Sequence, residues 1–265
     1  YEIMTICTLY LITGCIGGFL GGLLGLGGGI IFVPSLFFIF SIYGLHEENI
    51  MQSAVSTSLL CVVISSLSAA VRHYKNDLIN WKIIRLMIPG LAFGSLCGVI
   101  FLTISSSNVI KIYYSILLIL IALYMFNQKN SQDRTESVPL KYVYSFSFFT
   151  GTVSNILGIG GGTLTTPYFN FHGQSLKRSI GTAAGCGVPI AIFGIIVSYL
   201  LNILFGIFEK TVLDFIDYYA FMIVSGSTLI FSYLGASVTF KTRTTLLKNI
   251  FCIALLVISI TILIF

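Results

Sequence analysis

Charge is what this chain has least of. Only 9% of its 265 residues are Asp, Glu, Lys or Arg, where a soluble domain carries about 25%. That scarcity excludes a solvated surface over most of the chain. With 56% hydrophobic residues and a mean hydropathy of +0.99, it points to an all-α polytopic membrane protein sitting in a lipid bilayer, each span using about 20 apolar residues. Histidine is also scarce: His46, His73 and His172 lie scattered at the ends of apolar runs. The six cysteines, Cys7, Cys15, Cys61, Cys97, Cys186 and Cys252, all lie inside apolar runs and none has CxxC spacing. This argues against a disulfide framework and a zinc site. No nucleophile, base or metal cluster can be assembled from these residues, so neither an enzyme nor a cofactor is expected. The balance of basic residues belongs to membrane orientation and not to nucleic acid.

Deep acidic and basic residues are missing as well: no Asp, Glu, Lys or Arg falls in the middle of a predicted span. Protons and cations usually need an intramembrane carboxylate. Its absence points to an anion held by neutral donors.

What the chain does have is one stretch that occurs twice. Leu24-Gly-Leu-Gly-Gly-Gly29 returns as Leu157-Gly-Ile-Gly-Gly-Gly162, 133 positions later, and the proline five residues on, Pro34 or Pro167, keeps its place. An internal repeat is a statement about architecture. The expected organisation is a first repeat at 1–127, a polar linker at 128–141 and a second repeat at 142–265, together one membrane domain. Apolar runs are expected at 3–24, 30–43, 50–71, 86–104 and 109–126, then at 142–157, onward to Phe171, and at about 180–206, 215–239 and 246–265. The run at 3–24 is not read as a signal peptide, because no basic stretch precedes it and its repeat partner is internal. Further matches across the halves are Thr57 with Thr182 and Cys61 with Cys186, both 125 apart.

Lys and Arg crowd the cytoplasmic loops of membrane proteins. If the runs flanking each glycine cluster form a hairpin that enters and leaves on one face, each half has three true spans. Then 12 of the 14 basic residues share one face and only Lys111 and Lys210 lie on the other. Glu47, Glu48, Glu209, Asp214 and Asp217 fall mostly opposite. Three is an odd number, so the second half is expected upside down relative to the first, the inverted-repeat plan of secondary transporters, with the two glycine tips meeting near mid-bilayer.

Backbone that leaves the helix at membrane depth is tolerated only where protein buries it or a wet cavity lines it. The helix leaving each tip aims its N-terminal N–H groups and its dipole at the midplane, which suits an anion. Pro34 and Pro167 are expected at an early helical position, with Thr166 as a cap before Pro167. The substrate-binding candidates are the backbone of Gly27, Gly28, Gly29, Gly160, Gly161 and Gly162, with Ser56, Thr57, Asn155, Thr163 and Thr182. Ser53, Ser58 and Thr165 are further donors within reach. Gly14, Gly17, Gly18, Gly94 and Gly98 read as close-packing residues, and Cys61 and Cys186 as small apolar packing. Asn155 and the threonines after the second tip replace Gly22 and bulky aliphatics of the first copy, which weights the site toward the second half.

Gly25-Leu-Gly-Gly-Gly29…Pro34 and Gly158-Ile-Gly-Gly-Gly162…Pro167, with Ser56-Thr57-Ser58 and Thr182, resemble the TauE/SafE family of membrane permeases over essentially the whole chain. The resemblance implies movement of sulfite, sulfoacetate, thiosulfate or a related organosulfur anion, often by export across the cell membrane; a proton or sodium is a candidate coupling ion. A passive anion channel and a membrane assembly or trafficking factor without solute transport are the alternatives. An oligomer is compatible with every reading.

Overall fold

The computed structural model describes residues 2–127, 140–205, 212–239, 241–242 and 244–264. They form ten α-helices: α1 (Glu2–Leu24), α2 (Gly29–Ile42), α3 (Ile50–Tyr74), α4 (Trp81–Ile104), α5 (Ser107–Asn127), α6 (Leu140–Leu157), α7 (Gly162–Phe171), α8 (Leu176–Phe205), α9 (Tyr218–Thr239) and α10 (Thr244–Ile264). A single 3-10 turn, Glu47–Asn49, precedes α3. The expected linker falls outside the described residues except for Leu140 and Lys141, which already belong to α6.

Among the described residues, five segments are long and apolar enough to cross a membrane: α1, residues 47–74, α4, residues 176–203 and α9. The helices that follow the glycine runs are not. At 1.5 Å per residue, α2 reaches about 21 Å and α7 about 15 Å, well short of a hydrocarbon core of about 30 Å. α1 reaches about 34 Å, so the two arms of the first hairpin are unequal.

Both short helices fold back on the helix before them. Gly28 lies directly on Gly21 and the Phe32 ring on Gly17, so α2 retraces α1. Phe146 and Tyr168 stack with ring centroids 3.6 Å apart, and Ser154 faces Gly161, so α7 retraces α6.

The long helices sort into two sets by glycine ridges and hydroxyl bonds. Gly14, Gly18 and Gly22 of α1 press on Val224, Thr228 and Ser232 of α9. Gly90, Gly94 and Gly98 of α4 press on Tyr144, Phe148 and Thr152 of α6. Small residues four apart let two backbones meet, the usual glue of membrane helices, and both series rise together, so both pairs run parallel. Gly17 also packs, but inside its own hairpin. α3 runs parallel to α9, with Thr57 at Asp217 and Ser65 at Ser232, and α4 runs parallel to α8, with Asn80 at Thr182 and Met87 at Cys186. One set is therefore α1, α3 and α9; the other is α6, α8 and α4. α5 packs on α10, where Ser259 Oγ donates to the Ser115 carbonyl at 2.8 Å.

The starts of α4 and α9 are set by their caps and not by hydropathy, while α8 begins at Leu176, four residues before its expected start. α4 begins at Trp81 and not near 86, since the Asn80 side chain accepts from the Ile83 N–H at 3.4 Å. α9 begins at Tyr218 and not 215, since Asp217 Oδ1 accepts from the Ala220 N–H at 2.9 Å. A side-chain oxygen that satisfies a first-turn N–H sets the boundary more firmly than hydropathy does.

Candidate functional site at the crossed glycine tips

Gly28 (φ 76°) and Gly161 (φ 69°) are the N-caps of α2 and α7, both left-handed. Glycine takes this conformation without the penalty that a side chain adds, and it lets the chain reverse within the buried centre. Pro34 and Pro167 are consequently the sixth residues of their helices and not early ones, and Thr166 sits within α7 and not at its cap. The glycine turn itself starts the helix, leaving no room for the expected threonine cap. Pro34 has no N–H to give the Ile30 carbonyl; the buried Tyr114 hydroxyl donates to it instead, at 3.1 Å.

The two tips cross each other. A β-carbon at Gly29 would overlap the Gly158 carbonyl, and one at Gly162 the Gly25 carbonyl. Gly25 rests on the Ile180 carbonyl of α8 and Gly158 on the Val55 carbonyl of α3, again 125 apart. Ser58 Oγ donates to the Gly158 carbonyl at 2.8 Å. At each helix start the first N–H groups have no intrahelical acceptor, so donors converge on a buried, interrupted centre.

Thr57 and Thr182 are matched, but each reaches across to the other half of the chain. Thr57 Oγ1 accepts from the N–H of Asp217 at 2.9 Å; Thr182 Oγ1 accepts from the N–H of Asn80 at 3.0 Å. The two partners are the capping residues of α9 and α4. This geometry gives both threonines a holding role at a helix start. Cys61 lies 3.8 Å from Ser225 Oγ and Cys186 lies 3.9 Å from Met87 Sδ; both are fully buried, in two different apolar clusters.

The other candidates divide. Ser56 and Thr163 are buried with hydroxyls that have no partner. Thr165 Oγ1 donates to the Gly161 carbonyl at 3.0 Å. Asn155 Nδ2 donates to Ser95 Oγ at 2.8 Å and to the Gly151 carbonyl at 2.9 Å, tying α6 to α4, while its Oδ1 is unpaired. Ser53 lies farther out, at the wall of a cavity of about 270 Å³ with His46, Glu47, Glu48, Asn49, Asp214 and Phe215. His46 Nε2 meets Asp217 Oδ2 at 3.2 Å beside it.

Sequence reasoning missed three hydroxyls: Thr150 and Ser154, one turn apart on α6, and Ser66 of α3. All are fully buried and unpaired, and Ser66 Oγ packs against Gly27 and Gly187. The signal was available for the first two, which align 133 positions on from Gly17 and Gly21.

Apolar helices of spanning length, with two more too short to span, around a glycine-broken centre define a multi-pass helical protein of the cell membrane. Residues 10–262 match the family described as sulfite exporter TauE/SafE, and the chain belongs to that family. It is 31% identical over 261 residues to a protein of Haemophilus influenzae, covering 97% of each chain. It is 33% identical over 207 residues to one of Methanocaldococcus jannaschii, covering 76% of this chain and 74% of the other. A Bacillus subtilis protein is 25% identical over 248 residues, 89% of this chain and 90% of its own. All three are described as probable membrane transporter proteins.

Proposed function

We propose that the protein is a secondary transporter that moves a small anion, of the sulfite, thiosulfate or sulfoacetate class, by alternating access. The observation that carries this reading is the crossing itself: two helix N-termini meet at a buried break, among hydroxyls that have no partner. Buried polar groups are nearly always paired, so a group left open calls for an explanation. An oxyanion supplies acceptors for N–H and O–H donors together. The neutral donors, Ser56, Thr163 and the backbone N–H groups of 160–162, hold such an ion without trapping it, across from the first tip at 27–29; Asn155 Nδ2 already gives both its hydrogens, to Ser95 and Gly151. Thr57 and Thr182 act through the helix caps they hold.

Division into two repeats, one inverted, is supported by the exchange of partners: α1 with α9 and α6 with α4, all parallel, around two folded-back hairpins. It places Arg178, in the first turn of α8, on the cytoplasmic side and Glu48, just before α3, outside. Cysteines at these exposed positions should label from opposite sides; labelling from one side would end the inverted reading. The acidic cavity beside His46 and Asp217 suits a coupling cation, proton or sodium, and not the substrate.

Flux in proteoliposomes tests the function. Saturable uptake of sulfite, thiosulfate or sulfoacetate over a carboxylate control, lost in Gly161→Leu, is expected. Flux of every anion without saturation would make the protein a channel. No flux from folded, monodisperse protein would overturn transport of these anions.

A further inference from the structure

The two tips share a backbone design but not a lining. Around the first tip, α1 offers Gly17 and Gly21, and α2 offers Ile30, Phe32 and Val33. Around the second, the positions 133 residues on are Thr150, Ser154, Thr163, Thr165 and Thr166. Every one of the five is hydroxylated in the second half and none in the first.

The packing follows the chemistry. In the first half the tip is shut: Gly28 sits on Gly21 so closely that a β-carbon there would overlap the Gly28 nitrogen, and the Phe32 ring fills the space between Gly17 and Gly28. In the second half, Ser154 stands where Gly21 does, and its Oγ lies 3.5 Å from the place a β-carbon of Gly161 would take. Thr150 is one turn earlier on the same face of α6. The hydroxyls of Thr150, Ser154, Thr163 and Thr166 are buried and unpaired; Thr165 alone is bonded, to the Gly161 carbonyl.

From this asymmetry we infer that the protein has one oxyanion subsite, between α6 and α7, where Ser154, Thr150 and Thr163 give hydroxyl donors beside the N–H groups that open α7. The first tip is a packed wall opposite it. The inference rests on the anion-transporter reading and assigns the donors within it. The ligand is a tetrahedral or pyramidal oxyanion with several acceptors, since three hydroxyls and a helix start exceed what a single carboxylate oxygen can use. The Ile190 side chain lies over Gly161 and swings aside when the subsite fills.

The test is flux and binding with sodium sulfite and sodium thiosulfate, using the whole chain in nanodiscs and liposomes. Ser154→Ala and Thr163→Val should each raise Kd and KM about tenfold or more, the scale of a lost hydrogen bond to a charged ligand. Neither should lower Tm, because each removes a hydroxyl that has no partner. Phe32→Leu, in the first half, should leave KM unchanged even where it lowers Tm. If Ser154→Ala and Thr163→Val lower Tm and leave KM alone, these hydroxyls are structural and the subsite is overturned, while transport stands. A KM shift in Phe32→Leu as large as that in Ser154→Ala would overturn the one-sided assignment. Wild-type protein that neither binds nor moves either anion would overturn the transporter reading and the subsite with it.

Discussion

The first and second glycine tips have the same turn and opposite surroundings. Gly28 and Gly161 adopt the same left-handed cap, yet one is covered by an aromatic ring and the other by the Ile190 side chain with a serine hydroxyl beside it. α2 is also the better anchored arm, with Tyr114 bonded to its first turn. α7 is flanked instead by an apolar cavity of about 280 Å³ lined by Leu117, Ile121, Phe146, Leu164, Pro167 and Tyr168. Duplication supplies two equal frames, and substitution of a few side chains is enough to make one a wall and the other a binding face.

The largest expected effect breaks the wall. Phe32→Ala empties the space over Gly17 and Gly28 and should cost about 3–5 kcal/mol; chemical denaturation in mild detergent measures it. Thr165→Val, its positional match, removes one hydrogen bond, to the Gly161 carbonyl, and should cost about 0.5–1.5 kcal/mol. Equal losses would mean that the two linings are equivalent after all. Gly29→Ala and Gly162→Ala come next. Each pushes a β-carbon into a carbonyl of the other tip, so both should lose about 3 kcal/mol and both should stop flux, because the crossing is the part the tips share.

Thr57→Val and Thr182→Val sharpen the comparison at the next level. Each leaves a capping N–H without its acceptor, at a cost of about 1–2 kcal/mol, and the two losses should agree, since the bonds are related by the repeat. A loss of substrate affinity with unchanged stability would instead return these threonines to the ligand. Cys61→Ala and Cys186→Ala should be smallest, under about 1.5 kcal/mol with unchanged flux; abolished flux in either would put a thiol at the substrate.

Much of this was legible in the sequence. The glycine copies gave away the hairpins, and the glycines at four-residue spacing gave away the ridges, because both are local patterns. Thr57 and Thr182 were visible as a matched pair, but their partners lie 160 and 102 residues away, and a single sequence has no signal for a bond of that span. Pro34 and Pro167 misled because proline favours a helix start, whereas here the preceding glycine turn had already begun the helix. Thr150 and Ser154 were overlooked because a hydroxyl in an apolar run normally bonds its own helix; comparing the copies position by position separates them from that background.

The pairing of helices also sets a timetable for assembly. α1 leaves the ribosome long before α9, yet the helix that covers Gly14, Gly18 and Gly22 is α9, which begins only at Tyr218. Until then that ridge faces lipid or a chaperone. α6 meets no such delay, because α4 is already in the membrane when α6 is made. Insertion and docking are thus separate events for α1. A chain interrupted before α9 would leave it as an unclaimed glycine ridge, the kind of surface by which membrane quality control can recognise an unfinished protein.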